Sequence, residues 1–296
     1  MKVRIGFGGG ARGPAERIHQ FGELVDALEE RGFDSLWCSE RATGPMPDPM
    51  VALSFAAGRT RKLKLGTSVQ VLPGRNPVLL AKQWAALDVL SGGRALPAFG
   101  LGVVDPREQQ AFGIAREERA PWFDEALPLI RRLWSEESVD HDGPRFHYED
   151  ASIGTLPSHP LDVWLGGRAP VELRRVGRMA DGWLPSFCTP EQVARDRVVV
   201  DDAADAAGRS IDPEHYGAMV FYTLGSIPEA YSRTLAARRG VDPDEVIVTS
   251  LPALRDRLEE FVSVGFTKLV PVPMHDVTSW PDELDTLATA VLDLQN

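Results

Sequence analysis

The chain has 296 residues, 43% of them apolar and 25% charged, a composition that suits an ordinary globular protein and not a disordered or coiled-coil one. Its formal charge of −11 comes without any Lys- or Arg-rich run, which excludes the basic stripe of a nucleic-acid or anionic-membrane surface. No stretch approaches the roughly 18 apolar residues of a membrane span; two distant cysteines, Cys38 and Cys188, form no disulfide framework, and a cytoplasmic setting is expected.

Val3–Gly8 reads as a first strand, followed by a glycine-rich turn over 8–13 and a helix with Pro14 in its first turn, whose apolar repeat Ile18, Phe21, Val25 and Leu28 runs to Gly32. Phe33–Ser39 is a second apolar strand. Asp48-Pro49 opens a second helix, Leu63–Leu72 makes a third strand, and Asn76-Pro77 caps a helix that ends at Gly92-Gly93. Arg94–Phe99 is a fourth strand, in which Pro97 removes a ladder hydrogen bond and predicts an irregularity. A helix from about Pro121 to Glu136, a strand Leu161–Leu165, a helix Pro170–Ala180, a short strand Gly182–Pro185 and a helix Glu191–Ala207 follow. The chain ends with strand Tyr216–Leu224, helical material to Gly240, Glu245–Ser250, helix Ala253–Val264, strand Phe266–Val272 and a helix over Pro281–Leu294.

Apolar strands alternating with amphipathic helices indicate a parallel sheet covered on both faces. Eight such units in this length favour closure into a (β/α)8 barrel, a single domain over residues 1–296. The rhythm breaks at Ser138–His159, rich in Gly, Pro, Asp and His, which reads as an inserted hairpin or loop near the mouth. Its histidines, His141, His147 and His159, have no metal-ligand spacing, and no metal site is expected. Gly8, Gly10 and Gly13 match the G-x-G-x-x-G outline of a dinucleotide-binding unit. However, Pro14 starts the helix after the motif, and Glu40 lies further from Gly13 than the usual ~20 residues, so this reading is set aside.

In such a barrel the active site forms from the loops after the strands. There the sequence stops looking like core. Ser39-Glu40-Arg41 follows strand two; Gly66-Thr67-Ser68-Val69-Gln70 puts small and polar residues in strand three; Gly100-Leu101-Gly102-Val103-Val104-Asp105 follows strand four. After strand five, Gly166-Gly167-Arg168-Ala169-Pro170 leads straight into a helix, with free backbone N–H groups and one Arg, a pattern suited to an anion.

The runs GFDSLWCSE (32–40), DPMVALSFAAGRTRKLKLGTSVQVLPGRNPVLLAKQWAALDVLSGGR (48–94), GLGV (100–103) and VWLGGRAPVELRRVGRMADGWLPS (163–186) resemble the bacterial-luciferase-like family. Within it they are most similar to the coenzyme F420-dependent (deazaflavin) oxidoreductases, over about residues 1–190. The resemblance implies a luciferase-like TIM barrel, α/β in class, that carries its cofactor at the strand ends. It implies a non-prolyl cis peptide at Ser68–Val69 behind the cofactor ring, Gly100–Gly102 along the ring or its chain, and Gly166, Gly167, Arg168 and Ala169 around the phosphate. The activity implied is hydride transfer between coenzyme F420 and a small organic substrate. The alternative is an FMN-dependent monooxygenase supplied with reduced flavin by a partner reductase. Homodimers are common in the family.

One position departs from the family. An acidic residue followed by His is common after strand two; here Glu40 keeps the acid and Arg41 replaces the His. A guanidinium stays charged and serves as an anchor, where an imidazole passes protons near neutral pH. Glu40, Arg41 and Asp105 are the catalytic candidates, Asp105 also being placed to cap a helix before Pro106.

Overall fold

The computed structural model describes residues 2–9, 19–229, 231–233, 235 and 241–296. Gly10, Gly13 and Pro14 of the glycine-rich turn, Ile18, and part of the helical stretch expected before Gly240 lie outside the described residues. The strands are β1 (Arg4–Gly8), β2 (Ser35–Cys38), β3 (Lys64–Thr67), β4 (Gln70–Val71), β5 (Ala95–Leu96), β6 (Ala98–Gly100), β7 (Val139–Asp142), β8 (His147–Ala151), β9 (Trp164–Leu165), β10 (Gly182–Trp183), β11 (Gly217–Tyr222), β12 (Ile247–Val248) and β13 (Lys268–Pro273). The helices are α1 (Phe21–Arg31), α2 (Pro49–Arg59), α3 (Pro77–Ser91), α4 (Pro106–Phe112), α5 (Arg116–Leu133), α6 (Pro170–Met179), α7 (Pro190–Ala206), α8 (Pro243–Val246), α9 (Leu251–Ser263) and α10 (Trp280–Val291).

Parallel pairing runs from β13 through β1, β2, β3 and β5 in one sheet, and through β4, β6, β9 and β10 in a second. Parallel bridges Trp183↔Tyr216 and Ser186↔Met219 join β10 to β11, and β11 pairs with β13, so eight strand positions close into a ring. Two of those positions are split. The cis Ser68–Val69 peptide separates β3 from β4, and Pro97 separates β5 from β6, as its missing N–H requires. Thr67 repairs the ladder at this double break: its hydroxyl donates to Ala98 O at 2.7 Å and accepts from Ala98 N at 3.0 Å. The segment Glu245–Ser250 covers the end of the short α8 and then β12, which pairs with β11 at Phe221 and Tyr222.

The interior of the ring is occupied by two indoles. Trp37 and Trp164 meet edge to face with centroids 5.9 Å apart, and they fit because glycine faces them: a Cβ on Gly66 would lie 2.5 Å from the Trp37 ring and one on Gly182 2.5 Å from the Trp164 ring. A second core lies between strands and helices, with Trp84 against Phe99 and Phe7 against Trp280. Cys38 and Cys188 are buried there, and burial pushes the Cys38 thiol up to about 12.

Helix starts follow the local chemistry. Asp48 accepts from Met50 N (2.9 Å) and Val51 N (3.1 Å), and Asn76 from Val78 N (3.0 Å) and Leu79 N (3.1 Å), each with Pro next in sequence. The helix expected from Pro121 starts earlier, at Arg116. α4, which lacks a long apolar repeat, closes at Gly113 in the left-handed region (φ +65), and α5 begins within three residues with Glu117 and Glu118 in its first turn.

The insertion is the antiparallel hairpin β7–β8, and it lies on the flank of α3 and α5. Glu125 of α5 accepts from Arg145 N and Phe146 N, both at 3.1 Å, and meets His141 Nε2 at 3.1 Å. Phe146 packs edge to face on Trp122 at 5.1 Å. Lys82 donates to Ile153 O at 2.6 Å, and the buried Asp88 accepts from Ser158 N at 3.0 Å and Ser158 Oγ at 2.6 Å.

Burial acts to raise the Glu125 carboxyl, but the bonds from His141, Arg145 N and Phe146 N outweigh it and hold the group below the usual carboxylate range. A carboxylate lowered on folding adds stability above its unfolded value that is lost as pH falls through the folded one. Glu125→Ala is expected to cost about 2 kcal/mol at pH 7, with the difference from wild type shrinking below about pH 4, as read by urea unfolding at the two pH values.

Candidate active site

The carboxyl ends of the strands gather the predicted residues into one arc. After β2, Glu40 turns its carboxylate under the start of β4. It accepts from Val71 N at 2.7 Å and pairs with Arg75, whose Nε donates to Val71 O at 2.9 Å. Burial raises the Glu40 carboxyl, and Arg75 and the Val71 N–H pull it back only in part. Glu40 thus braces the bend between β3 and β4, and its oxygens are committed to that task.

Arg41 points towards α4. Its guanidinium lies 3.6 Å from Glu108 Oε1 and 3.8 Å from Asp105 Oδ2, while its buried Nε has no hydrogen-bond partner among the described residues. Glu108 accepts from Ala42 N (3.0 Å), Thr43 N (2.9 Å) and Thr43 Oγ1 (2.5 Å). Burial works to raise its carboxyl, but these donors and Arg41 hold it below the usual range. Asp105 caps α4, accepting from Arg107 N at 3.0 Å, and is paired with Arg107 at 3.4 Å. Sequence reading missed Glu108; the Asp105-Pro106 cap and Gly113 stop would have delimited its helix.

The middle of the arc surrounds Val69. Ser39 Oγ donates to Ser68 O at 3.0 Å and lies 3.1 Å from Ser68 Oγ, fastening the end of β2 to the bend. A Cβ on Gly100 would stand 2.5 Å from Val69 Cγ2, and one on Gly166 3.5 Å from Val69 Cγ1. Ser68, Val69, Gly100 and Gly166 are all partly exposed. Gly102 sits in the left-handed region (φ +80), and Arg119 of α5, itself 5% exposed, donates to Val103 O at 2.8 Å and Leu101 O at 3.4 Å, holding this loop from behind. Arg119 carried no sequence signal, because an Arg in an amphipathic helix reads as solvated.

The far end of the arc is the turn into α6. Gly167 takes φ +93, and its carbonyl accepts from Trp183 Nε1 at 3.1 Å. The amides of Arg168 and Ala169 donate to one oxygen of Glu172, at 3.0 and 2.9 Å. Arg168 reaches outward to Asp196 and Gln192, each at 2.8 Å. The turn therefore holds an anion already, and that anion is a side chain of its own helix. Among the described residues no group of three His, Cys, Asp or Glu could hold a metal ion.

The luciferase-like monooxygenase family model matches residues 2–264, and the chain belongs to that family. The F420-dependent glucose-6-phosphate dehydrogenase of Kineococcus radiotolerans is 32% identical over 176 residues, 55% of this chain and 52% of that protein. The chain spans between half and two thirds of the length of the first such curated relatives. Among solved structures, monooxygenase RslO1 from Streptomyces bottropensis superposes with a TM-score of 0.83 at 22% identity over 99% of both chains. An F420-dependent secondary alcohol dehydrogenase in complex with an F420–acetone adduct gives 0.83 at 18% identity over 100% of both. These two likenesses show the fold, a luciferase-like barrel.

The brace beneath the mouth is testable by breaking it from one side. Arg75→Met leaves Glu40 buried without its partner and is expected to cost about 3 kcal/mol at pH 8. Glu40 is held above the ordinary carboxylate range, so acidification eases its buried charge and the cost should be smaller at pH 5 than at pH 8; equal loss at both pH values in urea unfolding would show that the Glu40 charge is not what the substitution exposes.

Proposed function

We propose that the chain transfers a hydride between coenzyme F420 and a small organic substrate, with the cofactor lying across the ends of the second to fifth strand positions. The observation that carries this reading is the arc itself. The Ser68–Val69 bend, Gly100 and Gly166 present partly exposed backbone around one small apolar side chain, a surface on which a flat ring fits. The Arg168–Ala169 amides donate to a carboxylate, an arrangement that would also suit a cofactor phosphate. The curated relatives named as F420-dependent dehydrogenases support deazaflavin over FMN.

When bound, the deazaflavin supplies two-electron hydride chemistry at its ring. The work left to the chain is placement and charge. Ser68, Val69, Gly100 and Gly102 would seat the ring, and Gly166, Gly167, Arg168 and Ala169 the phosphate. Arg41, where an imidazole is common, offers fixed positive charge. Glu40 and Asp105 act through the bend and through the α4 cap rather than as open proton carriers, because their oxygens are engaged.

The proposal includes one luciferase-like domain over 1–296, a cytoplasmic setting and a homodimer. No helix among the described residues is long and apolar enough to cross a membrane. Neighbouring helices α2 and α3 expose Val51 (67%), Phe55 (48%), Leu79 (65%) and Leu90 (82%), an apolar face that a second copy would cover.

Side-by-side fluorescence titrations should show F420 binding at least ten-fold tighter than FMN; FMN tighter by that margin would favour the oxygen-using alternative with its partner reductase. Glu172→Gln keeps an acceptor on the turn and removes the competing charge. It should tighten F420 binding about five-fold, on the order of 1 kcal/mol for a like charge near a phosphate, and unchanged affinity would place the phosphate elsewhere.

A further inference from the structure

The four strand positions outside the arc, β10, β11, β13 and β1, are built of other material. Phe187, just after β10, lies face to face with Phe221 of β11, centroids 3.8 Å apart and planes within 3°. Its backbone has φ +53, uncommon for a residue with a side chain and characteristic of positions whose surroundings dictate them. Met219 and Val272 come next to them, and Gly8 lets them reach inward: a Cβ there would stand 2.6 Å from Val272 Cγ2 and 3.3 Å from Met219 Cε. These residues and Val69 belong to one contiguous apolar cluster. Apolar packing is therefore continuous from the bend that would seat the ring to the stacked phenylalanines, with Val69 and Phe187 its partly exposed ends.

Cations are sparse among the described residues of this side. Among the described residues of 223–250 the one Lys or Arg is Arg233, exposed and paired with Glu229 at 3.6 Å. After β13, His275 is engaged by Glu283 at 3.2 Å, and Asp276 is exposed. A phosphorylated sugar needs cations and a dense set of donors, since polar groups moved onto an apolar wall lose their water without replacement.

We propose that the substrate is an uncharged molecule with an apolar or aromatic body, seated against Phe187 where Phe221 backs it, and not a sugar phosphate of the kind named for the curated relatives. This rests on reading the arc as the cofactor site. The test uses isothermal titration of the full chain, first with F420 and then, at saturating F420, with acetophenone and with glucose 6-phosphate, repeated on the cofactor-free chain. Acetophenone is expected to bind at least ten-fold tighter than glucose 6-phosphate. Phe187→Ala should weaken acetophenone about ten-fold and Phe187→Leu about three-fold, with thermal unfolding confirming that both variants fold. Glucose 6-phosphate binding as tightly as acetophenone, or acetophenone binding indifferent to both substitutions, would overturn the proposal while leaving the F420 reading intact. Failure of F420 itself to bind would remove that reading, and the cofactor-free titrations would then still measure the phenylalanine wall.

Discussion

Two tryptophans in one eight-stranded ring decide the shape of everything above them. Trp37 and Trp164 fill the interior edge to face, and they do so because Gly66 and Gly182 concede the volume opposite each ring. A ring of this size has room for side chains and little else. With the interior closed by indoles, the mouth becomes a floor rather than a channel, and a ligand there must lie across the strand ends. The split third and fourth positions shape that floor, and the Thr67 hydroxyl holds them together where backbone pairing lapses.

The same floor is divided by chemistry. On the arc from the second to the fifth position every acid is engaged: Glu40 by Arg75 and Val71, Glu108 by Thr43 and Ala42, Glu172 by two amides. The cations behind them, Arg41 and Arg119, each keep a buried Nε without a hydrogen-bond partner among the described residues. The arc thus presents partly exposed glycine backbone and the Val69 side chain, with its acids and cations largely paired behind them. The opposite side presents stacked phenylalanines. In the proposed reaction, a surface so divided would keep the cofactor and the substrate on separate parts of one floor.

Much of the fold was legible from spacing. The Asp48-Pro49 and Asn76-Pro77 caps, the Pro97 interruption, the hairpin within 138–159 and the βα rhythm all follow from local chemistry that operates in the fold. The cis Ser68–Val69 bond came from family resemblance, and it is present. Two kinds of feature escaped. Short elements such as α4 carry too few residues for a period to emerge, so Glu108 went unread. Partnerships across the chain leave no local trace: Arg75 meets Glu40 and Arg119 meets the loop after β6, each over a separation that only folding closes. The hairpin was expected near the mouth, and its bonds to Glu125, Lys82 and Asp88 hold it along the flank instead.

The central claim is that four strand ends make one seat for one cofactor. A crystal structure of the chain with F420 tests it most directly. The expected result places the ring against Val69, Gly100 and Gly166, with the phosphate on the amides of Arg168 and Ala169 and the Glu172 carboxylate moved off them. A ring bound away from Val69, or a phosphate held elsewhere while Glu172 keeps its amides, would contradict it.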